Sequence, residues 1–287
     1  MNNYPSLSHR TQEPENSILY IVGTPIGNLN DISYRAIQIL QNVSLIACED
    51  TRQTNKIMRK FKISNNLISF NKNNSYEKIP KIINDLKSGK SIALVSDAGL
   101  PSICDPGEDL VREVKLKGLE TICVPGPCAA LTALVSSGMS CSSFIFEGFL
   151  PKKKIERTKT LMEISRYEKT TIIYESPHRL NILLKELSEY CGEDREILVF
   201  RELTKRFEEH IGNNIKEVLL HFSNTKILGE FTVVIGGVDK KKSLPIDHAF
   251  LKKDLHELVD SGLSLSAASR YLAKKNNLPK NIIYDLY

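Results

Sequence analysis

Asp97 is the one acid at the end of the apolar run Ile92 to Val95, and it opens a stretch dense in glycine and proline. Ser96, Ala98, Gly99, Pro101, Asp105, Pro106 and Gly107 complete that stretch before helical spacing resumes at Leu110, Val111 and Val114. Such a loop brings backbone close to a ligand and fixes the path of the chain. A carboxylate there accepts hydrogen bonds from a ligand's amine or hydroxyl. Asp105, in the same loop, reads as the cap of the next helix. Three more polar clusters follow apolar runs: Glu49-Asp50-Thr51-Arg52, Glu175-Ser176-Pro177-His178-Arg179 and Arg201-Glu202-Leu203-Thr204-Lys205. Each alone reads as a solvated helix start, where acids are favoured by the helix dipole. All four at one edge of the sheets would be a site. Arg52 and Arg179 sit near helix starts, where cations are disfavoured, and that mismatch points to an anionic partner.

The elements that position these clusters alternate. Strands are predicted at Ile18 to Val22, Val43 to Cys48, Leu67 to Phe70, Ile92 to Val95 and Glu120 to Val124. Between them lie helical patterns at Ile32 to Leu40, Thr51 to about Phe61 and Ile79 to Leu86, the last with Pro80 in its first turn. A small-residue helix, Ala129 to Ser137, follows the Pro125-Gly126-Pro127 break. Alternation of this kind means a parallel or mostly parallel α/β sheet, whose ligands sit beyond the strand ends. After the strand Phe144 to Phe149 the scheme repeats, with strands at Thr171 to Tyr174, Ile197 to Phe200 and Phe231 to Ile235 and helices at Leu180 to Tyr190 and Ile215 to Phe222. Four divisions are expected: a flexible tail 1–16, an α/β domain 17–138, a second 139–238, and a helical appendage 239–287. The boundary between the α/β domains is placed in Ser137 to Ser143, where small residues and Gly138 interrupt the pattern.

Composition narrows the functional classes. The chain has 287 residues, 41% hydrophobic and 25% charged, ordinary for a globular protein, and its net charge of +5 permits a polyanionic partner without demanding one. Lys152, Lys153, Lys154 and Arg157, with Glu156 the one acid among them, form a basic loop suited to phosphates. The six cysteines have no CxxC pair and read as reduced core residues of a cytoplasmic protein. No apolar run approaches the length of a membrane span, and the polar N-terminus has no signal-peptide core. Neither a P-loop nor metal-ligand spacing occurs, so a nucleotide kinase is disfavoured and no metal is expected. Gly23 and Gly27 do not make a dinucleotide fingerprint, and Pro25 stiffens the loop where that fold wants glycine. Glu49 does stand where a dinucleotide-binding acid would, so a dehydrogenase stays open as a distant reading.

Taken together, VGTPIGNL, CEDTR, VSDAGLP, DPG, VPGPCAALTAL, FEGFLP, YESPHR and RELTK, in this order and spacing, resemble the ribosomal RNA small-subunit methyltransferase I family of the tetrapyrrole-methylase class. The match covers Ile18 to about Gly237. The resemblance implies two α/β domains with S-adenosylmethionine in the cleft between them, a homodimer, and transfer of a methyl group to the ribose 2′-oxygen of a cytidine in the decoding region of 16S ribosomal RNA. Carried over by residue, it places the cofactor against the loop Gly23, Pro25, Ile26 and Gly27, against Asp97, Ala98 and Gly99, and against Cys128 and Ala129. The second domain would add main chain near Glu175 and at Phe231 and Thr232. The wider class has Gly-Asp-Pro where this chain has Ser96-Asp97-Ala98, so Asp97 is the position that transfers directly.

Methyl transfer from a sulfonium needs no general acid, because the leaving group becomes neutral. A ribose hydroxyl needs orientation and a base, or a cation beside the developing alkoxide. Glu49, Glu175 and Glu202 are the candidate bases, and Arg52 and Lys205 the candidate cations. Lys152, Lys153, Lys154, Arg157 and Arg179 are the candidate RNA contacts. Two other readings keep the fold: methylation of a tetrapyrrole or a protein, and a non-catalytic cofactor-binding RNA-binding protein. The appendage, with nine basic residues against six acids from Asp239 to Tyr287, is expected to aid substrate docking and to be mobile unless docked on a neighbour.

Overall fold

The computed structural model describes residues 13–238, 248–276 and 278–287. They form two compact units that divide between Ala129 and Ala130. The division falls at the first residue of the small-residue helix, whereas composition pointed to the stretch after it. The Ala130 amide donates to the Tyr174 hydroxyl (2.9 Å), which ties that helix to the second unit's sheet.

The first unit contains β1 (Ile18–Val22), α1 (Tyr34–Asn42), β2 (Leu45–Cys48), α2 (Thr51–Phe61), β3 (Leu67–Ser69), α3 (Ser75–Lys87), β4 (Ile92–Val95), α4 (Glu108–Leu116) and β5 (Glu120–Val124). Its five strands are all parallel, in the order β3-β2-β4-β1-β5. Alternate residues serve opposite faces. Tyr20, Ile46, Ala93 and Val95 pack with Ala36 and Ile39 of α1, while Leu19, Ala47, Ile92 and Leu94 pack with Ile82, Leu86 and Leu110 of α3 and α4. Burial on both faces is why β4 reads as an unbroken apolar run. Helix starts are set by side chains: Ser33 accepts from the Ala36 amide (3.0 Å) and Asp50 from the Arg52 amide (2.8 Å). Helix α3 opens at Ser75, a turn earlier than expected, because the Asn71–Asn74 turn presents carbonyls to the amides of Ser75 and Lys78. Pro80 therefore lies inside the helix.

The second unit contains α5 (Ala129–Ser136), β6 (Phe144–Phe149), α6 (Lys154–Arg166), β7 (Thr170–Glu175), α7 (Pro177–Cys191), β8 (Ile197–Arg201), β9 (Glu209–Ile211), α8 (Ile215–Ser223) and β10 (Phe231–Ile235). The strand order is β6-β7-β10-β8-β9, and here the expectation of a repeated parallel scheme is corrected. Only β6 and β7 run parallel; β10 is antiparallel to both β7 and β8, and β9 is antiparallel to β8. The connection from β8 to β9 is too short for a parallel crossover, so the chain must return as a hairpin. One core, with Ile173, Leu180, Leu184, Leu187, Val199, Val218 and Val233, joins this sheet to α6, α7 and α8.

The appendage supplies α9 (His248–Asp260), α10 (Leu265–Asn276) and α11 (Lys280–Tyr284), with a small core of Leu251, Leu255, Ala268, Leu272 and Ile283. It is docked rather than free. Lys280 is fully buried, and its ammonium donates to Glu189 Oε1 (3.0 Å), Ser266 Oγ (3.1 Å) and Tyr190 Oη (3.2 Å) while standing 4.6 Å over the Tyr190 ring. Arg166 pairs with Asp285 in the same seam. Residues 239–247 and 277 of the expected appendage and residues 1–12 of the expected tail lie outside the described residues. The end of that tail is held, since Glu13 accepts from Arg35 Nε at 2.6 Å. Of the six cysteines only Cys48 and Cys191 are buried, and Cys123 and Cys141 are exposed. No helix of the described residues is long and apolar enough to cross a membrane.

Candidate functional site

In the first unit the loops after β1, β4 and β5 meet beyond the carboxyl ends of the strands. Thr24 and Gly99 exchange backbone hydrogen bonds (2.9 and 3.1 Å), and the Thr24 hydroxyl reaches the carbonyls of Ser96 (3.2 Å) and Gly99 (3.3 Å). Gly99 has φ +79°, a left-handed backbone that glycine adopts without strain. The loop after β1 meets the Pro-Gly-Pro turn at Gly126, where a Cβ on Gly23 would lie 2.7 Å from the Gly126 Cα. Neither position admits a side chain. Pro25 and Ile26 are buried beneath this crossing, Cys128 and Ala129 are half-buried, and Gly27, Asp97 and Ala98 are exposed. Within these loops the structure separates buried anchors, Gly23, Pro25, Ile26 and Gly99, from exposed residues.

Three carboxyls crowd the same edge. Burial pushes the Glu49 carboxyl above its ordinary value, with the charge of Asp97 adding to it. Although Asp97 is exposed as a residue, partial desolvation of its carboxyl likewise raises it, against the hydrogen bond its Oδ1 accepts from the Asp50 amide (3.0 Å). Asp105 is pushed up to about 6, first by burial and then by Glu49. The expectation that Asp105 caps α4 is corrected: the N-cap position is Gly107, and Asp105 belongs to this acid cluster. Its eight-residue spacing from Asp97 was visible, but only the fold of the loop returns it to the strand tips. Asp50 does not join the cluster's titration, because hydrogen bonds from Arg52 hold it down to about 2. Arg52 is thereby accounted for. Its guanidinium grips Asp50 (2.6 Å), which answers the unfavourable helix position without an external anion.

The second unit gathers other groups. Glu175, at the tip of β7, is 2% exposed. Its Oε1 accepts from the Ser176 amide (2.8 Å), with Arg179 Nε at 3.5 Å and Arg157 Nη1 at 3.7 Å from its two oxygens. Arg157 is 6% exposed and donates to Glu186 Oε2 (2.7 Å). Two expectations are corrected here. Arg157 does not face solvent, because α6 begins at Lys154 and places Arg157, Leu161 and Ile164 on one inward stripe. Glu175 is no open base, since it is enclosed and matched by two guanidiniums. Arg179 spends its guanidinium on the carbonyls of Leu150 (2.9 Å) and Pro151 (3.4 Å) and on Glu175, so it braces the loop before α6.

Phe231 and Thr232 are buried in β10 with β7 and β8 on either side, Phe231 facing both Glu175 and Arg201. Their side chains hold the sheet together at the place assigned to the cofactor, and the exposed neighbour is Glu230. Glu202, at φ +52°, accepts from Lys205 (2.9 Å) and from the Glu230 amide (2.9 Å); these outweigh partial burial and lower its pKa. Lys205 also binds Glu230 (2.8 Å), and despite its own desolvation is raised by the two carboxylates. Lys152, Lys153 and Lys154 remain exposed, with Lys153 reaching Glu156 at 3.3 Å. Among the described residues no group of three or more His, Cys, Asp or Glu is arranged to hold a metal ion.

Residues 18–219 match the family described as Tetrapyrrole (Corrin/Porphyrin) Methylases. Proteins named Ribosomal RNA small subunit methyltransferase I match over most of their length. The one from Bacillus subtilis is 43% identical over 274 residues, covering 94% of each chain. The one from Synechocystis is 40% identical, covering 94% of this chain and 96% of its own. This chain belongs to the ribosomal RNA small subunit methyltransferase I family. A shorter relative from Thermotoga maritima is 46% identical, with 98% of its length matched to 76% of this chain. Solved structures share the fold at much lower identity. Diphthine synthase aligns with a TM-score of 0.58 at 14% identity over 76% of this chain and 90% of its own. A uroporphyrin-III-C-methyltransferase from Thermus thermophilus aligns with a TM-score of 0.54, also at 14% identity, over 77% and 94%.

Proposed function

We propose that this enzyme transfers the methyl group of S-adenosylmethionine to the ribose 2′-oxygen of a cytidine in the decoding region of 16S ribosomal RNA. The observation that carries the reading is the identity of 40% or more to the named relatives across nearly their whole length. The residues of the first unit fit the cofactor chemically. It brings an ammonium and a sulfonium, and Glu49, Asp97 and Asp105 form a cluster of carboxyls whose mutual repulsion a cation relieves. In this reading Asp97 and the exposed backbone at Gly27 and Ala98 hold the cofactor, and the Gly23–Gly126 crossing keeps their loops in register. When bound, the cofactor supplies an electrophilic methyl group.

The chain's own part is to orient the ribose hydroxyl and receive its proton. Glu175 and Glu202 are committed to cations, whereas Glu49 forms no direct ion pair among the described residues, and the pull of Lys72 does not overcome the burial that raises its affinity for protons. Glu49 therefore takes the role of proton acceptor. Arg52 and Lys205 are neutralised by carboxylates, so orientation contributes more here than a free cation does. Lys152, Lys153 and Lys154 meet the RNA backbone. The exposed apolar side chains of α5 and β6, Leu131, Val135 and Phe149, support a homodimer, which light scattering would register, and ribosomal RNA as substrate supports action in the cytoplasm.

The decisive experiment is tritiated-methyl transfer from S-adenosylmethionine onto small subunits lacking the methylation, with nuclease mapping of the label. Label on a single cytidine ribose is expected. Label on protein, or none on RNA, would refute the reading.

A further inference from the structure

The seam between the second sheet's helices and the appendage encloses a polar groove of about 550 Å³. Its lining comes from the C-terminal half of α7, the loop after it, the start of α8, and α10. Five cations face it, and they divide by what they already hold. Arg195 donates to the carbonyls of Gly236 (2.6 Å) and Tyr167 (3.1 Å), and Arg270 pairs with Glu189 (2.9 Å). Lys185, Lys216 and Lys274 line the groove and form no ion pair among the described residues. They come from three different helices, α7, α8 and α10. The groove is also fixed in shape, because Lys280 and Arg270 both fasten on Glu189 and so lock α10 and α11 to α7.

We propose that this groove is a second seat for the RNA strand, with Lys185, Lys216 and Lys274 taking backbone phosphates. The inference rests on the ribosomal RNA reading and deepens it by giving the appendage a surface. Glu193 and Asp194 also line the groove, so it is not a uniform anion trap. An RNA strand answers such a mixture, since 2′-hydroxyls and base amines donate to carboxylates while phosphates meet ammonium groups. Three lysines on three rigid helices suit an extended partner better than one small anion, which would need them converged on a single point.

The test is the triple variant K185Q/K216Q/K274Q in the full chain, with its arginine counterpart K185R/K216R/K274R. Binding to small subunits lacking the methylation is measured from low to physiological salt. The glutamine variant is expected to bind about tenfold more weakly at low salt, with the slope of log affinity against log salt shallower by up to about 2. The arginine variant should keep the slope. Both should melt normally and retain cofactor affinity. A normally melting glutamine variant with unchanged affinity and slope would overturn the proposal. Absence of methyl transfer to small subunits by the unaltered enzyme would instead refute the functional reading, so the two failures are separable.

Discussion

Replacing Asp105 with Asn should stabilise the protein at neutral pH, and the gain should vanish in acid. Asp105 titrates at about 6 in the folded chain because it is desolvated and faces Glu49. Its unfolded value is near that of a free aspartate, about 3.9. Between these values the folded state holds a proton that the unfolded state has released. Ionised Asp105 therefore costs stability in full above pH 6, and that cost fades as pH falls toward 4. Two pKa units correspond to about 3 kcal/mol as a ceiling. Asp105 is only half-buried, so solvent screening brings the expected gain to about 1–2 kcal/mol. For a chain of this size that is a rise in melting temperature of roughly 2–6 °C. Thermal melts of both proteins from pH 4.5 to pH 8 would measure it. Melting temperatures of the two proteins that differ by the same amount across this range, or a variant less stable at pH 8, would refute the raised proton affinity of Asp105. Added S-adenosylmethionine should narrow the gap at pH 8 if the acid cluster exists to receive a cation.

The remaining expectations concern the two units separately. Asp97→Asn keeps an oxygen for the Asp50 amide but loses the charge, so S-adenosylmethionine should bind about tenfold more weakly with the fold intact; calorimetry showing equal affinity would remove Asp97 from the site. Gly126→Ala forces a methyl against the Gly23 backbone at 2.7 Å and should cost about 1–3 kcal/mol in urea melts, with weakened cofactor binding. An alanine variant of ordinary stability would mean that the two loops are free to separate. Arg157→Met leaves Glu175 buried with Arg179 alone and should cost about 3 kcal/mol while leaving the salt dependence of RNA binding unchanged. A stable variant with a shallower salt slope would return Arg157 to the RNA surface.

What the sequence determined by itself was local. The parallel sheet of the first unit was legible because β4 is apolar throughout and each neighbouring strand ends in a polar or glycine-rich turn. Asp97 and the loops around Gly23 and Gly126 were legible for the same reason, since residue type at a strand tip already limits what the backbone can do. Tertiary structure decided everything that depended on which groups face one another. Arg157 looked like part of a basic loop, yet helical spacing with Leu161 and Ile164 turns it onto Glu175 and Glu186. Arg52 looked unmatched until Asp50 was seen to hold it. Asp105 looked like a cap until the loop carried it back to Glu49, where burial and a like charge changed its proton affinity. Lys280 was one basic residue among nine in the appendage, and only docking onto α7 made it a buried anchor. Charge in a sequence has sign but no partner, and it is the fold that assigns the partner by desolvating both groups at once.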